Sequence, residues 1–227
     1  MPGRSETAPR PDAGLVAAGL FDCAVEVLVA RSTPSSGQAV GREADRAAVE
    51  RAIADLIQAL GLDISAEPEL AQTPARVADL YGEIFCGLDS ATDPEIATFA
   101  HEGGPDEIVI VRELPFHSLC IHHFIPFFGF AHVAYLPGKR IVGISGAARL
   151  LDFYAHRPQL QERLTVQIAD HLERLLAPRG LAVVLEARHL CMEMRGVRKP
   201  GTVETRTVRG ALAAPPWAGT LELRSRP

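Results

Sequence analysis

Apolar residues at three- and four-residue steps dominate the first half of this chain. Between Glu43 and Leu60, the positions Val49, Ile53, Leu56, Ile57 and Leu60 predict an amphipathic helix. A second helix is expected from Thr73-Pro74, an N-cap followed by proline at the first helical position. It runs through Val77, Leu80, Tyr81 and Ile84 towards Gly87. The pattern changes at Glu107. Ile108-Val109-Ile110-Val111 is a β-branched run suited to a buried strand, and Phe127 to Leu136 predicts a longer strand closed by the turn Pro137-Gly138. Two helices follow, one over Ala147 to Ala155 and one from Pro158 with Leu160, Leu164, Ile168, Leu172 and Leu175 on a stripe. Leu181 to Leu185 and Val203 to Leu212 read as closing strands. This order predicts an α+β domain, an antiparallel sheet covered on one face by helices.

Residues 1–42 break with this patterning. They are rich in Ala, Gly, Pro and Ser, and predict a flexible arm with one short helix near 14–30. The apolar stretch Gly14 to Ala30 is interrupted by Asp22 and Glu26, is shorter than a membrane span and has no clear cleavage site after it. Residues 43–105 form a helical segment, and 106–227 the sheet-bearing domain. With 227 residues, 47% hydrophobic and 22% charged, the chain can bury a sizeable core without disulfides. Its four cysteines, Cys23, Cys86, Cys120 and Cys191, are too scattered for a disulfide scaffold and fit a cytoplasmic protein with reduced thiols.

The net charge of −5 is unevenly spread, with eight Lys/Arg against three Asp/Glu after residue 187. A basic tail on an otherwise acidic chain suits an anionic small molecule better than nucleic acid, and the interrupted apolar stretch at 14–30 does not suit a membrane span.

The chemistry concentrates in Phe116-His117-Ser118-Leu119-Cys120-Ile121-His122-His123-Phe124. Cys120 and His123 have Cys-x-x-His spacing, which places a thiolate and an imidazole on one ion across a tight turn. Taken alone, this is equally compatible with a packed cysteine beside two histidines. A second element changes the balance: the strand Leu181–Leu185 runs on into His189-Leu190-Cys191. Cys120, His123 and Cys191 then make three protein ligands with a fourth position open, the pattern of a catalytic Zn2+ site. His122 and His189 remain beside the metal as proton carriers. His101, His117, His132, His156 and His171 lack such company and read as surface or core residues.

These motifs resemble the GTP cyclohydrolase I family. The resemblance rests on Cys-x-His-His at 120–123, the stretch Arg157 to Thr165 with its specific Gln161-Glu162-Arg163-Leu164-Thr165 string, and His189-x-Cys191 with Arg195-Gly196. It extends from the Thr-Pro-x-Arg-Val start at Thr73 to about Leu212. It implies Cys120, His123 and Cys191 as zinc ligands and His122 and His189 as the histidines that move protons during ring opening. Gln161 and Glu162 match the pair that reads guanine, and Ser145, Arg149 and Arg195 match phosphate-contacting positions. The implied fold is the tunnelling fold, a four-stranded antiparallel sheet with two helices, assembled into a homodecamer with active sites between subunits. The implied reaction is hydrolysis of the guanine imidazole ring at C8, giving 7,8-dihydroneopterin triphosphate and formate from GTP for a folate or pterin route.

Three departures from the family pattern stand out, the third at two positions. Ile121 stands where glutamate is usual, and Gly146 where a triphosphate-binding lysine is usual. Glu204 and Arg206 replace hydroxyl residues in Val203-Glu204-Thr205-Arg206-Thr207. The losses fall mainly at the phosphate end, where Arg206 can offset them by two-point binding of phosphate. Alongside GTP cyclohydrolase activity stand two alternatives. One is a divergent enzyme acting on another guanine nucleoside or nucleotide, with a formamide as a possible end point. The other is a catalytically silent zinc-binding homologue.

Overall fold

The computed structural model describes residues 45–89, 94–104 and 107–221. The predicted arm at 1–42, with its helix near 14–30, lies outside the described residues. The elements are α1 (Arg46–Ala59), α2 (Thr73–Ile84), β1 (Thr98–Ala100), β2 (Val109–Cys120), β3 (Pro126–Leu136), β4 (Arg140–Val142), α3 (Ile144–Ala155), β5 (Pro158–Gln159), α4 (Gln161–Leu176), β6 (Gly180–His189), α5 (Leu190–Glu193) and β7 (Thr202–Gly210). The main sheet has the order β5-β2-β3-β6-β7; β2, β3, β6 and β7 pair antiparallel, and β5 joins β2 in parallel. β1 and β4 pair separately. The α+β expectation holds, with three additions that sequence periodicity did not carry: β5, the β1-β4 ribbon and the short helix α5.

Each difference from the predicted boundaries has a local cause. α1 starts at Arg46 because the Asp45 carboxylate accepts from the Ala48 N–H at 3.0 Å and caps the helix. In α2 the N-cap is Gln72, which moves Thr73 and Pro74 into the first turn. β2 continues to Cys120, well past Val111, because a register shift between Val111 and Leu114 absorbs an irregularity at Glu113, whose φ is 59°. The helix expected from Pro158 begins only at Gln161. Pro158 and Gln159 are extended beside β2, where proline's missing N–H is tolerated at a sheet edge. The buried stripe of α4 is therefore Gln161, Leu164, Thr165, Ile168, Ala169, Leu172 and Leu176.

Strand alternation sorts the sheet into two faces. Phe127, Ala131, Val133 and Tyr135 of β3 and Leu181, Val183, Leu185 and Ala187 of β6 pack with α3 and α4. Ala134, Leu136, Ala182 and Val184 face the other way, beneath Leu212 and Leu221 with Trp217 packed alongside. β7 ends at Gly210, whose φ of 58° turns the chain into Ala211–Ala213 and back across that second face. The predicted strand to Leu212 is thus two residues shorter, since Leu212 is a core residue of the covering segment.

Candidate metal centre and its surroundings

Two strand ends supply the site. β2 ends in Cys120, and the chain turns sharply: the Phe124 N–H donates to the Cys120 carbonyl at 2.8 Å, and the Cys120 N–H to the Ile125 carbonyl at 3.0 Å. Phe124 takes a left-handed φ of 51° to close this turn. β5 braces it from the side, with the Ile121 N–H donating to the Gln159 carbonyl at 2.9 Å. Gln159 is itself buried, its amide donating to the Tyr154 carbonyl and the Gln167 side chain at 2.8 Å each. The turn that presents the Cys-x-His-His motif is therefore backed by Gln159, a polar residue for which sequence periodicity predicts a helix.

The other strand end is β6, which runs to His189 and passes directly into the short helix α5 carrying Cys191. The register pairs His189 with Phe127, beside the β2-β3 turn. As a result Cys120, His123 and Cys191 each offer a ligand atom, and these atoms all lie within 4.8 Å of one another. Cys120 Sγ lies 3.9 Å from His123 Nδ1. Among the described residues this is the one His/Cys/Asp/Glu group with metal-holding geometry. With zinc–sulfur bonds of about 2.3 Å and zinc–nitrogen bonds of about 2.0–2.1 Å, donors at these separations can share one tetrahedral ion. The donor chemistry fits as well: two thiols and an imidazole. Burial and the neighbouring Cys120 thiol push the Cys191 thiol above the ordinary cysteine range, a cost that a cation between the sulfurs would remove.

His122 is exposed, with Nδ1 3.7 Å from Cys120 Sγ. His189 is held far more tightly. Its ring lies against Phe127 with centroids 4.7 Å apart and planes 3° from parallel, and its Nε2 is 2.7 Å from Gln161 Oε1. Burial lowers its pKa below the ordinary imidazole value, partly opposed by the negative charges of Glu162 and Glu193.

The residues expected to meet the substrate divide into those near this group and those apart from it. Gln161 and Glu162 open α4 but point differently: Gln161 is buried and Glu162 exposed. The Gln161 amide donates to the Leu185 and Val203 carbonyls at 3.0 and 2.9 Å, so its donors are committed to the sheet and not to a ligand. Arg195 is exposed, with Nη1 3.1 Å from His123 Nε2. Ser145 and Arg149 lie together on the exposed side of α3, the Arg149 guanidinium donating to Ser145 Oγ at 3.1 Å.

Arg206 is not brought to this cluster within the chain. It pairs in register with Val184, on the face away from α3 and α4, and is bonded to Glu204 at 2.7 Å. There it borders a cleft of about 240 Å³ with Trp217 and Thr220. Strand alternation explains the placement: Thr205 points to α4 and bonds Thr165 at 2.6 Å, so Arg206 points the opposite way.

Gly146 also differs from a simple vacancy left by a missing lysine. It is buried in the first turn of α3, and a Cβ there would come within 2.7 Å of Val142 Cγ2 and 2.8 Å of Ile96 Cγ2. Apolar side chains fill the space into which a side chain would leave the helix.

Comparison with known proteins gives one consistent picture. The GTP cyclohydrolase I family model matches residues 49–218. A GTP cyclohydrolase 1 of Mycobacteroides abscessus is 51% identical over 179 residues, covering 77% of this chain and 86% of that protein. One from Mycolicibacterium paratuberculosis is 50% identical over 182 residues, covering 79% and 88%. One from Mycolicibacterium gilvum is 53% identical over 170 residues, covering 73% and 83%.

Proposed function

This chain belongs to the GTP cyclohydrolase I family, and from that premise we propose how its own residues divide the work on GTP. The activity is that of a GTP cyclohydrolase I, a hydrolase that opens the guanine imidazole ring and yields 7,8-dihydroneopterin triphosphate and formate. Cys120, His123 and Cys191 hold the zinc. When bound, zinc supplies Lewis-acid activation of water for attack at C8. The observation that carries this assignment is the approach of the three donors to within 4.8 Å of one another.

His189 delivers a proton to a ring nitrogen so that the C8–N9 bond opens, with exposed His122 as the second proton carrier on the solvent side. Glu162 accepts hydrogen bonds from the guanine N1–H and the 2-amino group. A carboxylate facing two donors rejects purines that lack them, because it would then be desolvated without partners. Ser145, Arg149 and Arg195 bind the triphosphate. Arg206 lies on the other sheet face and reaches a phosphate only in a site completed by a second copy. A homodecamer of tunnelling-fold subunits in the cytoplasm, with active sites between subunits, is the assembly we infer. No helix among the described residues is long and apolar enough to cross a membrane.

The experiment is incubation of purified protein with GTP and identification of products by mass spectrometry. Formate and 7,8-dihydroneopterin triphosphate in equal amounts support the reading; zinc-loaded protein that leaves GTP intact refutes it.

Buried Gly146 favours one second reading, in which the substrate's tail carries fewer phosphates than GTP. The family lysine is not merely absent; Val142 and Ile96 have closed over its position. Comparing kcat/KM for GTP, GMP and guanosine separates the two. A preference for GTP of several orders of magnitude removes the second reading.

A further inference from the structure

Gln161 is fully buried at the start of α4, yet it is polar, and every hydrogen bond it makes can be assigned a direction. Its Nε2 lies 3.0 Å from the carbonyl oxygen of Leu185 and 2.9 Å from that of Val203. Carbonyl oxygens only accept, so the side-chain atom facing them must be the NH2 group, whichever way the amide is drawn. The remaining atom, Oε1, is an acceptor 2.7 Å from His189 Nε2. Two acceptors cannot bond each other, so His189 Nε2 must carry hydrogen. The ring is also confined by its parallel stack on fully buried Phe127. Its plane, its position and its tautomer are therefore set by neighbours that are themselves anchored in the sheet.

We propose that Gln161 is a positioning residue for His189, holding the imidazole with its hydrogen on Nε2 so that Nδ1 is the nitrogen that exchanges a proton with the substrate. The inference rests on the reading of His189 as the proton carrier. Nδ1 accepts the proton released by the water that adds at C8, the Nε2–H stays on Gln161, and the Nδ1 proton passes to the ring nitrogen as the C8–N9 bond breaks, so that one water is consumed for one bond opened. His189 returns neutral with its Nε2 hydrogen in place. This role differs from guanine reading, for which Gln161 would need a donor or acceptor turned towards the base. Its two amide hydrogens instead bridge β6 and β7, which fixes the start of α4 to the strand that carries His189 and to its neighbour.

The direct test uses wild-type protein labelled with 15N-histidine at about pH 8.5, above the ordinary imidazole range. The His189 signal is identified by its loss in His189→Ala. Nε2 carrying hydrogen with bare Nδ1 is expected; hydrogen on Nδ1, or exchange between both tautomers, overturns the proposal. The kinetic test is Gln161→Leu. Loss of a residue that orients a reacting group lowers kcat by about 10–100-fold, with KM for GTP and zinc content unchanged. A rise in KM with unchanged kcat overturns the proposal and restores a base-reading role. Gln161→Leu on the His189→Ala background should cost less than about twofold, because the effect passes through His189. An equal loss on both backgrounds overturns it. Should His189→Ala turn over GTP as fast as wild type, the proton-carrier reading itself fails, while the 15N spectrum still decides the tautomer.

Discussion

His189 and Phe127 lie face to face, 4.7 Å between ring centroids and 3° from parallel, as register partners on β6 and β3. The sheet therefore does more than carry His189 to the metal group; it sets the plane of the imidazole. Phe127 is 0% exposed, so this surface cannot rotate away. Phe127→Leu should leave zinc content intact and lower stability by about 1–3 kcal/mol through lost packing. Formate release should slow because the imidazole gains freedom. Thermal unfolding and formate release measure the two effects; unchanged turnover would show that the stack does not position the ring.

Removal of a thiol ligand should be all or nothing. Cys120→Ser and Cys191→Ser each reduce a three-donor group to two strong donors. Elemental analysis should find zinc lost from both variants, together with GTP turnover. Full zinc occupancy in both would refute the ligand assignment. His122→Ala, in contrast, should retain the ion, since His122 stands outside the group.

Gly146→Lys should fail to recreate a phosphate contact. The new side chain would meet Val142 and Ile96 at its first carbon, and even Gly146→Ala overpacks the contact. The expected loss is about 1–3 kcal/mol for Gly146→Ala and more for lysine. Chemical denaturation measures it. A stable Gly146→Lys protein with tighter GTP binding would show that the β1-β4 ribbon yields easily.

Charge on α3 should matter for the substrate tail. Arg149→Ala removes a charge-assisted contact of about 1.5–3 kcal/mol, which corresponds to a rise of about 10–150-fold in KM for GTP. Guanosine turnover, which needs no phosphate contact, should be unaffected if it is detectable. An Arg149→Ala enzyme with unchanged KM would move the triphosphate elsewhere.

The grouping of Cys120, His123 and Cys191 and the α+β order were legible because their signals are local. Cys-x-x-His spacing and a strand feeding His189-Leu190-Cys191 state their chemistry within a few residues, and long strands announce themselves by β-branched runs. Three features were not legible, each for a physical reason. Gln159 reads as an ordinary helix residue and Gln161, through the family resemblance, as a reader of guanine, because nothing local signals that α4 starts late and that both amides turn inward to satisfy backbone carbonyls and neighbouring side chains. The face on which Arg206 lies depends on the register of β7 against β6, which is a tertiary property. Gly146 read as a lost lysine, whereas its burial follows from Ile96 and Val142, residues brought together by the β1-β4 ribbon.

The central claim is that GTP ring opening runs on the ion held by Cys120, His123 and Cys191. The most direct measurement is formate release from GTP by one preparation as purified, after zinc is stripped with a chelator, and after one equivalent of zinc per chain is restored. Turnover should fall to background on stripping and return on reloading, with 7,8-dihydroneopterin triphosphate formed one-for-one with formate. Turnover that persists undiminished in protein shown by elemental analysis to be free of metal would contradict the account.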